Sequence, residues 1–383
     1  MSQRRIRLGM VGGGRGSFIG AIHRAAAALD GQFELMAAAP SSDPDNARLS
    51  GAELGLANDR IYESWEDMAA RESARPDGIE AVSIVTPNHL HCRIATCFLN
   101  AGMHVICDKP LTTSLEDARE LAAREAAGAP LLFVTYNYSG YAMVRQARAM
   151  VAAGDVGEIR VVQVEYPQGW LSEAVEKTSN KQAEWRTDPA RAGEGGSIGD
   201  IGTHAYHLLR FVTGLEMDSV AAQTSRFVAG RRLDDDAQVL LRFRGAARGM
   251  LWVSQVAIGE DNALKLRVYG DCGSLVWSQE RPDELRYCPL NAAPILLRRG
   301  GEGLLRPATR ATRLPAGHPE GFLEAFATIY SDAAHAIECH RAGQTDPDCL
   351  TPRAGDGLEG MEFVHAVVES SRLDGAWVPL PRR

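Results

Sequence analysis

The 383-residue chain predicts an α/β protein of two domains: a doubly wound parallel sheet over residues 1–150, and an α+β domain with a mostly antiparallel sheet over residues 151–383. Three observations carry this reading. The length exceeds what a single hydrophobic core ordinarily serves. In the first domain, short continuous apolar runs alternate with helical patterns, the texture of strands buried on both faces. Beyond it, strand-like runs follow one another without helices between them, which reads as antiparallel pairing.

Residues 6–11 form a buried-type strand, followed by a helix over 18–29. A strand over 33–39 and a helix over 44–54 repeat the unit, and 60–62 with 65–72 make a weaker pair. Strands at 81–85 and 104–107 precede helices at 89–100 and 115–127, and 131–136 is the sixth strand. In the second domain 159–166, 220–228, 238–243, 249–255, 264–269 and 274–277 read as strands. A long polar stretch, 168–196, leads to a helix near 199–212. Residues 300–319, rich in Gly, Pro and Arg, read as a surface loop, and helices over 322–340 and 355–372 close the chain.

Hydrophobic residues are 45% and charged residues 23%, the balance of an ordinary soluble domain. A net charge of -8 weighs against nucleic acid and anionic membranes. No apolar run reaches the ~18 residues of a membrane span. Seven cysteines without a CxxC pair read as reduced thiols of a cytoplasmic protein, with no metal site. Arg4-Arg5 could open a twin-arginine export signal, but the following segment belongs to the first strand, without a small-residue cleavage site before it.

Gly12, Gly13 and Gly14 stand where the first strand turns into a helix. Glycine there lets backbone approach a pyrophosphate, which the helix N–H groups bind, as in a Rossmann dinucleotide site for NAD or NADP. The spacing departs from the usual fingerprint: Gly20 follows Gly14 at a distance, and Arg15-Gly16-Ser17 reads as an insertion. A plain tight turn is the alternative, and the place in the strand alternation favours the cofactor. The second strand lacks the acid that usually holds the adenosine ribose and runs into Pro40-Ser41-Ser42-Asp43. Ser41 and Ser42 with Arg48 nearby would tolerate a 2′-phosphate, Asp43 suits a helix cap, and NAD versus NADP stays open.

Thr86-Pro87-Asn88 ends the strand over 81–85 at the carboxyl edge, where doubly wound sheets bind ligands. Asn88 suits a helix cap as well, and His91 fits a solvated helix position or a ligand contact. Asp108-Lys109-Pro110 ends the next strand on the same edge, where the Lys109 ammonium can bind a substrate hydroxyl. Asp200 and His204 are four apart and share a helix face. Such a pair is commonly a surface feature. Beside a cation and a nicotinamide it becomes a proton acceptor, with the aspartate orienting the imidazole. Tyr136, Asn137, Tyr138, Tyr141 and His318 fit either the cleft or packing roles. Trp170 is a further cleft candidate, while the arginines 298, 299, 306, 310 and 313 read as a solvated basic loop, with an anionic sugar as the sharper alternative.

With these residues the chain resembles the Gfo/Idh/MocA oxidoreductases along nearly its whole length. Thr86-Pro87-Asn88 matches the family's TPN turn, and Asp108-Lys109-Pro110 its EKP motif with Asp for Glu. Trp185-Arg186, Asp200-x-x-x-His204 and Tyr269-Gly270-x-x-Gly273-Ser274 match in order and spacing. The resemblance implies Lys109, Asp200 and His204 as the catalytic set. Taken with the residue reading above, the expected cofactor site is Gly12, Gly14, Gly20, Ser41, Ser42, Arg48, Thr86, Pro87, Asn88, Asp108, Lys109, Trp185 and Arg186. Substrate contacts fall to Lys109, Asn137, Tyr141, His204, His207 and His318. The resemblance also implies an open C-terminal sheet face through which a homodimer or homotetramer forms. The lengthened glycine turn, the missing ribose acid and His207, where relatives often carry Asp or Asn, depart from the pattern.

The function these features imply is hydride transfer between a secondary alcohol of a sugar, sugar derivative or cyclitol and NAD(P). An alternative is a redox-type glycoside hydrolase, which needs a second acid or base such as Tyr141 or His207. A dinucleotide-binding sensor is the third reading; it has no need of the lysine and histidine that are present here.

Overall fold

A computed structural model describes residues 4–128, 130–178, 180–346 and 348–382. The chain opens with β1 (Ile6–Gly12), α1 (Phe18–Leu29), β2 (Phe33–Ala39), α2 (Pro44–Glu53) and α3 (Trp65–Ala74). It continues through β3 (Ala81–Val85), α4 (His91–Asn100), β4 (His104–Cys107), α5 (Leu115–Ala126) and β5 (Leu132–Val134). Among the described residues five strands pair in parallel, in the order β2-β1-β3-β4-β5. Every residue of β3 and β4 is buried, Ser83 and His104 included, as parallel strands covered on both faces require. The strand order reverses between β1 and β3, so the ligand crevice of such a sheet opens where those two strands end.

The expected strand at 60–62 is not one. Asn58–Arg60 is a short 3-10 turn, and only Ile61 bridges β2, at Ala38. The reason is Arg60, whose buried guanidinium is gripped by Glu72 at 2.9 Å and holds the segment as a turn.

The rest of the chain forms α6 (Ala142–Ala152), β6 (Ile159–Pro167), α7 (Lys181–Arg186), α8 (Pro189–Ala192) and, after a π-helical turn at Ile198–Gly202, α9 (Thr203–Thr213). Then come β7 (Met217–Ser225), β8 (Asp236–Phe243), β9 (Arg248–Ser254), β10 (Lys265–Gly270), β11 (Gly273–Ser278), β12 (Glu284–Pro289) and β13 (Ile295–Arg298). The last elements are α10 (Arg306–Arg310), α11 (Phe322–Arg341), α12 (Ala354–Arg372) and β14 (Val378–Pro379). Among the described residues nine strands make the second sheet, in the order β13-β12-β11-β10-β6-β9-β8-β7-β14. Among the described residues of this sheet, only β6 and β9 pair in parallel. Helices α6 and α9 cover one face, over buried Val162, Val164, Leu266 and Trp277. The other face shows exposed Val161, Tyr269, Leu240 and Met250, paired across strands as Val161–Tyr269 and Leu240–Met250.

The expected strand over 220–228 starts earlier and ends at Ser225. The Asp235 carboxylate accepts from Phe227 N at 2.8 Å and Val228 N at 3.0 Å, which bends those residues out of the sheet. Strands β12, β13 and β14 lie outside the sequence reading.

Two compact units emerge. The first gathers residues up to Thr112 with Glu116–Asn137 and Leu323–Leu358; the second holds Thr113–Leu115, Tyr138–Phe322 and residues from Glu359 on. A single boundary at 150/151 does not describe this division: α6 belongs with the second unit and nearly all of α11 with the first. Tyr330 of α11 explains the recruitment. Its ring meets Phe33 edge-on at 5.4 Å, and its hydroxyl lies 2.8 Å from His23 Nδ1 and 2.5 Å from Ser83 Oγ. A helical period shows that a helix has an apolar face, not which sheet it covers. Among the described residues no helix is long and apolar enough to cross a membrane.

Candidate active site

In the first unit the turn after β1 is built on glycines with left-handed backbone, φ +81° at Gly12 and +74° at Gly13. A Cβ on Gly20 would collide with the Gly13 Cα and come within 2.8 Å of the Gly13 carbonyl oxygen. Gly20 therefore provides the close helix–strand approach that the third fingerprint glycine usually provides. The inserted Arg15-Gly16-Ser17 loops out and ends in Ser17, which caps α1 by accepting from Gly20 N at 3.3 Å. Gly14 N donates to Pro40 O (3.1 Å), Arg15 N to Ser50 Oγ (3.0 Å), and Arg24 to Gly13 O (2.7 Å). These bonds tie the turn to α1, α2 and the end of β2.

At that end Ser41 Oγ accepts from Asp43 N (3.1 Å) and Asn46 Nδ2 (3.3 Å), while Asp43 caps α2 through Asn46 N (2.7 Å). Arg48 stands exposed, 3.5 Å from Asp45. On the carboxyl edge, Thr86 Oγ1 and Asn137 Nδ2 are buried without a hydrogen-bond partner among the described residues. Such an atom costs about 1–3 kcal/mol if nothing ever meets it. A glycine cradle that a Cβ would fill, with two orphaned polar atoms on the same sheet edge, fits a dinucleotide.

Asp108 Oδ1 accepts from Lys109 N (2.8 Å) and Thr135 Oγ1 (2.9 Å), joining the ends of β4 and β5 beneath Lys109. The Lys109–Pro110 peptide is cis. His91 is neither solvated nor ligand-facing. It is buried, its Nδ1 2.9 Å from Pro110 O and its Nε2 2.9 Å from Thr86 O, so its ring braces the two turns. Burial lowers its pKa, against the pull of Asp108. Asn88 does not cap α4; it lies buried in a 3-10 turn, and Leu90 holds the cap position.

In the second unit Asp200 sits in the π-turn and His204, buried, in the first turn of α9. Asp200 Oδ2 accepts from Arg186 Nε (3.3 Å) and Gln255 Nε2 (2.9 Å), and the Arg186 guanidinium lies 4.1 Å over the Trp185 ring. Arg186 thus holds a carboxylate, a role the sequence did not suggest. The Tyr138 ring meets His204 edge-on at 4.9 Å, and Tyr166 lies at 6.5 Å. The two tyrosine hydroxyls bond to each other, and Asn262 links both, accepting from Tyr166 (2.6 Å) and donating to Tyr138 (3.2 Å). Gln168 donates to the same Asn262 (2.8 Å) and accepts from Trp170 Nε1 (3.1 Å). Burial raises the pKa of both tyrosines, which keeps them protonated donors.

Tyr141 stacks on Tyr138 at 6.0 Å and leans on Trp277 at 5.3 Å. His207 is buried against Phe211 at 5.8 Å, and burial lowers its pKa to about 3, so it is neutral. His318 is exposed, on a loop pinned by Arg299. Arg299 itself departs from the solvated-loop reading. It is buried between Asp283 (2.7 Å) and Glu320 (2.8 Å). Elsewhere, Cys92, Asp117 and Glu120 bring ligand-type atoms within 4.8 Å of one another, but burial and the acids push the thiol up to about 11, leaving the sulfur protonated.

The comparisons agree with this geometry. The model described as "Oxidoreductase family, NAD-binding Rossmann fold" matches residues 6–136, and the "GFO/IDH/MocA C-terminal domain" model matches residues 144–276. An uncharacterized oxidoreductase of Bacillus subtilis is 35% identical, over 97% of this chain and 96% of its own. The chain belongs to the Gfo/Idh/MocA family. It is an NAD-dependent oxidoreductase of that family. A crystal structure of an oxidoreductase from Sinorhizobium meliloti is 51% identical with a TM-score of 0.89, covering 98% of this chain and 100% of that one. An inositol dehydrogenase homolog from Azotobacter vinelandii, complexed with NAD+, is 38% identical with a TM-score of 0.94, covering 98% and 97%.

Within this Gfo/Idh/MocA chain, sequence reasoning passed over Tyr166, Gln168, Gln255 and Asn262. Tyr166 carried one usable signal, its place at the end of an apolar strand before a polar stretch. The other three carried none, because the bonds that bring them to the site, Gln168 and Tyr138 to Asn262 and Gln255 to Asp200, join residues remote in sequence.

Proposed function

We propose that the chain oxidises a secondary alcohol carbon of a sugar, sugar derivative or cyclitol. The observation that carries this reading is the surroundings of His204: a buried imidazole flanked by two protonated tyrosines and preceded by a clasped Asp200. Relatives support the substrate class. A levoglucosan dehydrogenase of Pseudarthrobacter phenanthrenivorans is 27% identical over 98% of this chain and 98% of its own, and a myo-inositol 2-dehydrogenase of Thermotoga maritima is 26% identical over 70% and 74%.

Gly12, Gly14, Gly20, Thr86, Pro87, Asn88 and Asp108 would hold the dinucleotide. When bound, its nicotinamide supplies the hydride acceptor. Lys109 donates from Nζ to the reacting hydroxyl and stabilises the charge that develops on its oxygen. His204 takes the hydroxyl proton on a ring nitrogen, and Asp200, held by Arg186 and Gln255, orients the imidazole. NADP is accepted beside NAD in this reading, since Ser41 and Ser42 stand where an acid would repel a 2′-phosphate. Copies of the chain meet on the sheet face that exposes Leu240 and Met250.

The test is absorbance of the reduced cofactor with myo-inositol, levoglucosan, L-sorbose and glucose 6-phosphate as substrates. Lys109→Ala and His204→Ala should each lose ~100- to 10,000-fold in turnover, with the NAD Kd kept within a few-fold. Turnover close to the parent's in either variant removes that residue from the mechanism.

A further inference from the structure

We infer that Asp234 is a positioning residue for the alcohol oxidation proposed above, on which this inference rests: it clamps the backbone from which Asp200 and His204 grow. Three consecutive acids, Asp234-Asp235-Asp236, lead into β8. A run of acids ordinarily marks a solvated face. Here each has an internal task. Asp236 accepts from Trp252 Nε1 at 3.0 Å, and Asp235 from Phe227 N, Val228 N and the buried Arg231.

Asp234 reaches a different segment. Its carboxylate accepts from Gly196 N (2.6 Å), Ser197 Oγ (2.6 Å) and Ile198 N (2.9 Å), and its backbone carbonyl from Ser197 N (2.9 Å). Residues 196–198 are where the π-turn begins, and α9 follows it directly. A carboxylate on the leading N–H groups of a helix makes charge-assisted bonds and meets the positive end of its dipole. Gly196 fits there only without a side chain, since a Cβ would collide with the Asp234 carbonyl oxygen.

The placement is handed on through backbone. Asp200 N donates to Gly196 O (2.8 Å), and Thr203 Oγ1 to Gly199 O (3.1 Å). A second route starts one residue later. The Asp235 carbonyl accepts from Gln255 N (2.8 Å), and the Gln255 side chain holds Asp200 Oδ2 (2.9 Å). The entrance of β8 thus sets both the backbone under Asp200 and the amide on its carboxylate. A π-turn is an uncommon conformation found at functional sites, and this one has a clamp at its start.

The test uses the full-length chain and two mild variants. Asp234→Asn keeps the shape but turns one acceptor into a donor facing N–H groups, and Ser197→Ala removes a single bond. In the cofactor-free protein, amide hydrogen exchange is followed at residues 196–204, and the His204 ring nitrogen signals are followed by NMR, assigned with His204→Gln. Asp234→Asn should speed exchange there about tenfold or more and shift the His204 signals. Its kcat should fall ~10- to 100-fold, the scale of a displaced catalytic group, with the NAD Kd and KM nearly unchanged. Ser197→Ala should move every readout the same way by less. Unchanged exchange and unchanged His204 signals in folded Asp234→Asn overturn the inference, as does loss of exchange protection spread over the whole second unit. If Asp234→Asn does not fold, Ser197→Ala decides by the same readouts. Should His204→Ala keep its turnover, the catalytic reading fails. Should it lose turnover while Asp234→Asn keeps kcat, only this inference fails.

Discussion

Substitution of Gly20 by alanine is the sharpest perturbation of the cofactor site. The new Cβ would overlap the Gly13 Cα and stand 2.8 Å from the Gly13 carbonyl oxygen, backbone that no rotamer change can move aside. Relief requires α1 to back away from the turn by roughly 1 Å, and forced repacking of this kind costs about 1–3 kcal/mol. The N–H groups at the start of α1 move with it, away from where they would meet the pyrophosphate. If cofactor binding has to reverse the displacement, that energy converts to roughly 5- to 150-fold weaker NAD affinity. Gly16→Ala is the control. Among the described residues nothing lies within 4 Å of a Cβ there, although its φ of +82° makes the substitution a local backbone strain of ~1–2 kcal/mol. Titration calorimetry with NAD and thermal melts on the parent and both variants separate the effects. Gly20→Ala should lose both affinity and stability, and Gly16→Ala mainly stability. NAD affinity of Gly20→Ala within twofold of the parent would refute the steric reasoning, as would equal loss of affinity in both variants.

Acid should destabilise the fold through its buried histidines. Burial lowers His23 and His104 to about 4 and His207 to about 3, below the ~6.5 of an unfolded chain. The unfolded state therefore binds protons first, and this stability is complete above pH ~6.5 and falls by up to ~1.4 kcal/mol per pH unit per histidine on descending toward pH 4. Melting temperatures between pH 7.5 and 5 should drop, and His104→Gln should flatten the slope; an identical slope in that variant counts against the assignment. Tyr166→Phe removes the hydroxyl shared by Tyr138 and Asn262, and should raise KM for the best sugar or cyclitol about tenfold with the NAD Kd unchanged. Unaltered kinetics would take that network out of the substrate site. Ser41→Asp should repel NADP and spare NAD, read as the ratio of the two Kd values; a ratio that does not move toward NAD would mean that Ser41 is not at the ribose.

What was legible in the sequence follows from the range of the forces involved. The strands β1, β3 and β4 show as short, mainly apolar runs, interrupted by Arg7, Ser83 and His104, because parallel strands are buried on both faces. The glycine turn shows because backbone at φ +74° to +81° excludes most side chains. The pairing of Gly13 with Gly20 does not show, since a loop of any length can separate two glycines that touch. β12 and β13 are half-exposed strands near the sheet edge without a clean alternation, and β14 is two residues long. Lys109, Asp200 and His204 lie in short local patterns. Their supports lie elsewhere: Arg186 is 14 residues from Asp200 and Gln255 is 55, while Asn262 is 124 from Tyr138. Periodicity carries no information about such pairs.

His91 shows where local reading stops being additive. Thr86-Pro87-Asn88 and Asp108-Lys109-Pro110 are two separate matches in the sequence, each judged at its own strand end. In the fold one imidazole faces the carbonyls of Thr86 and Pro110, both at 2.9 Å, and Asp108 lies close enough to favour its charged form. A neutral ring has one N–H and can donate to only one of these oxygens; an imidazolium donates to both. Burial opposes the charge and Asp108 favours it, so the two strand ends respond to one proton. The lysine turn and the threonine turn are thereby a single mechanical unit. A change at His91 should disturb the cofactor side and the substrate side together, as joint movement of NAD Kd and kcat, whereas a change at Thr86 or Lys109 alone should disturb mainly its own.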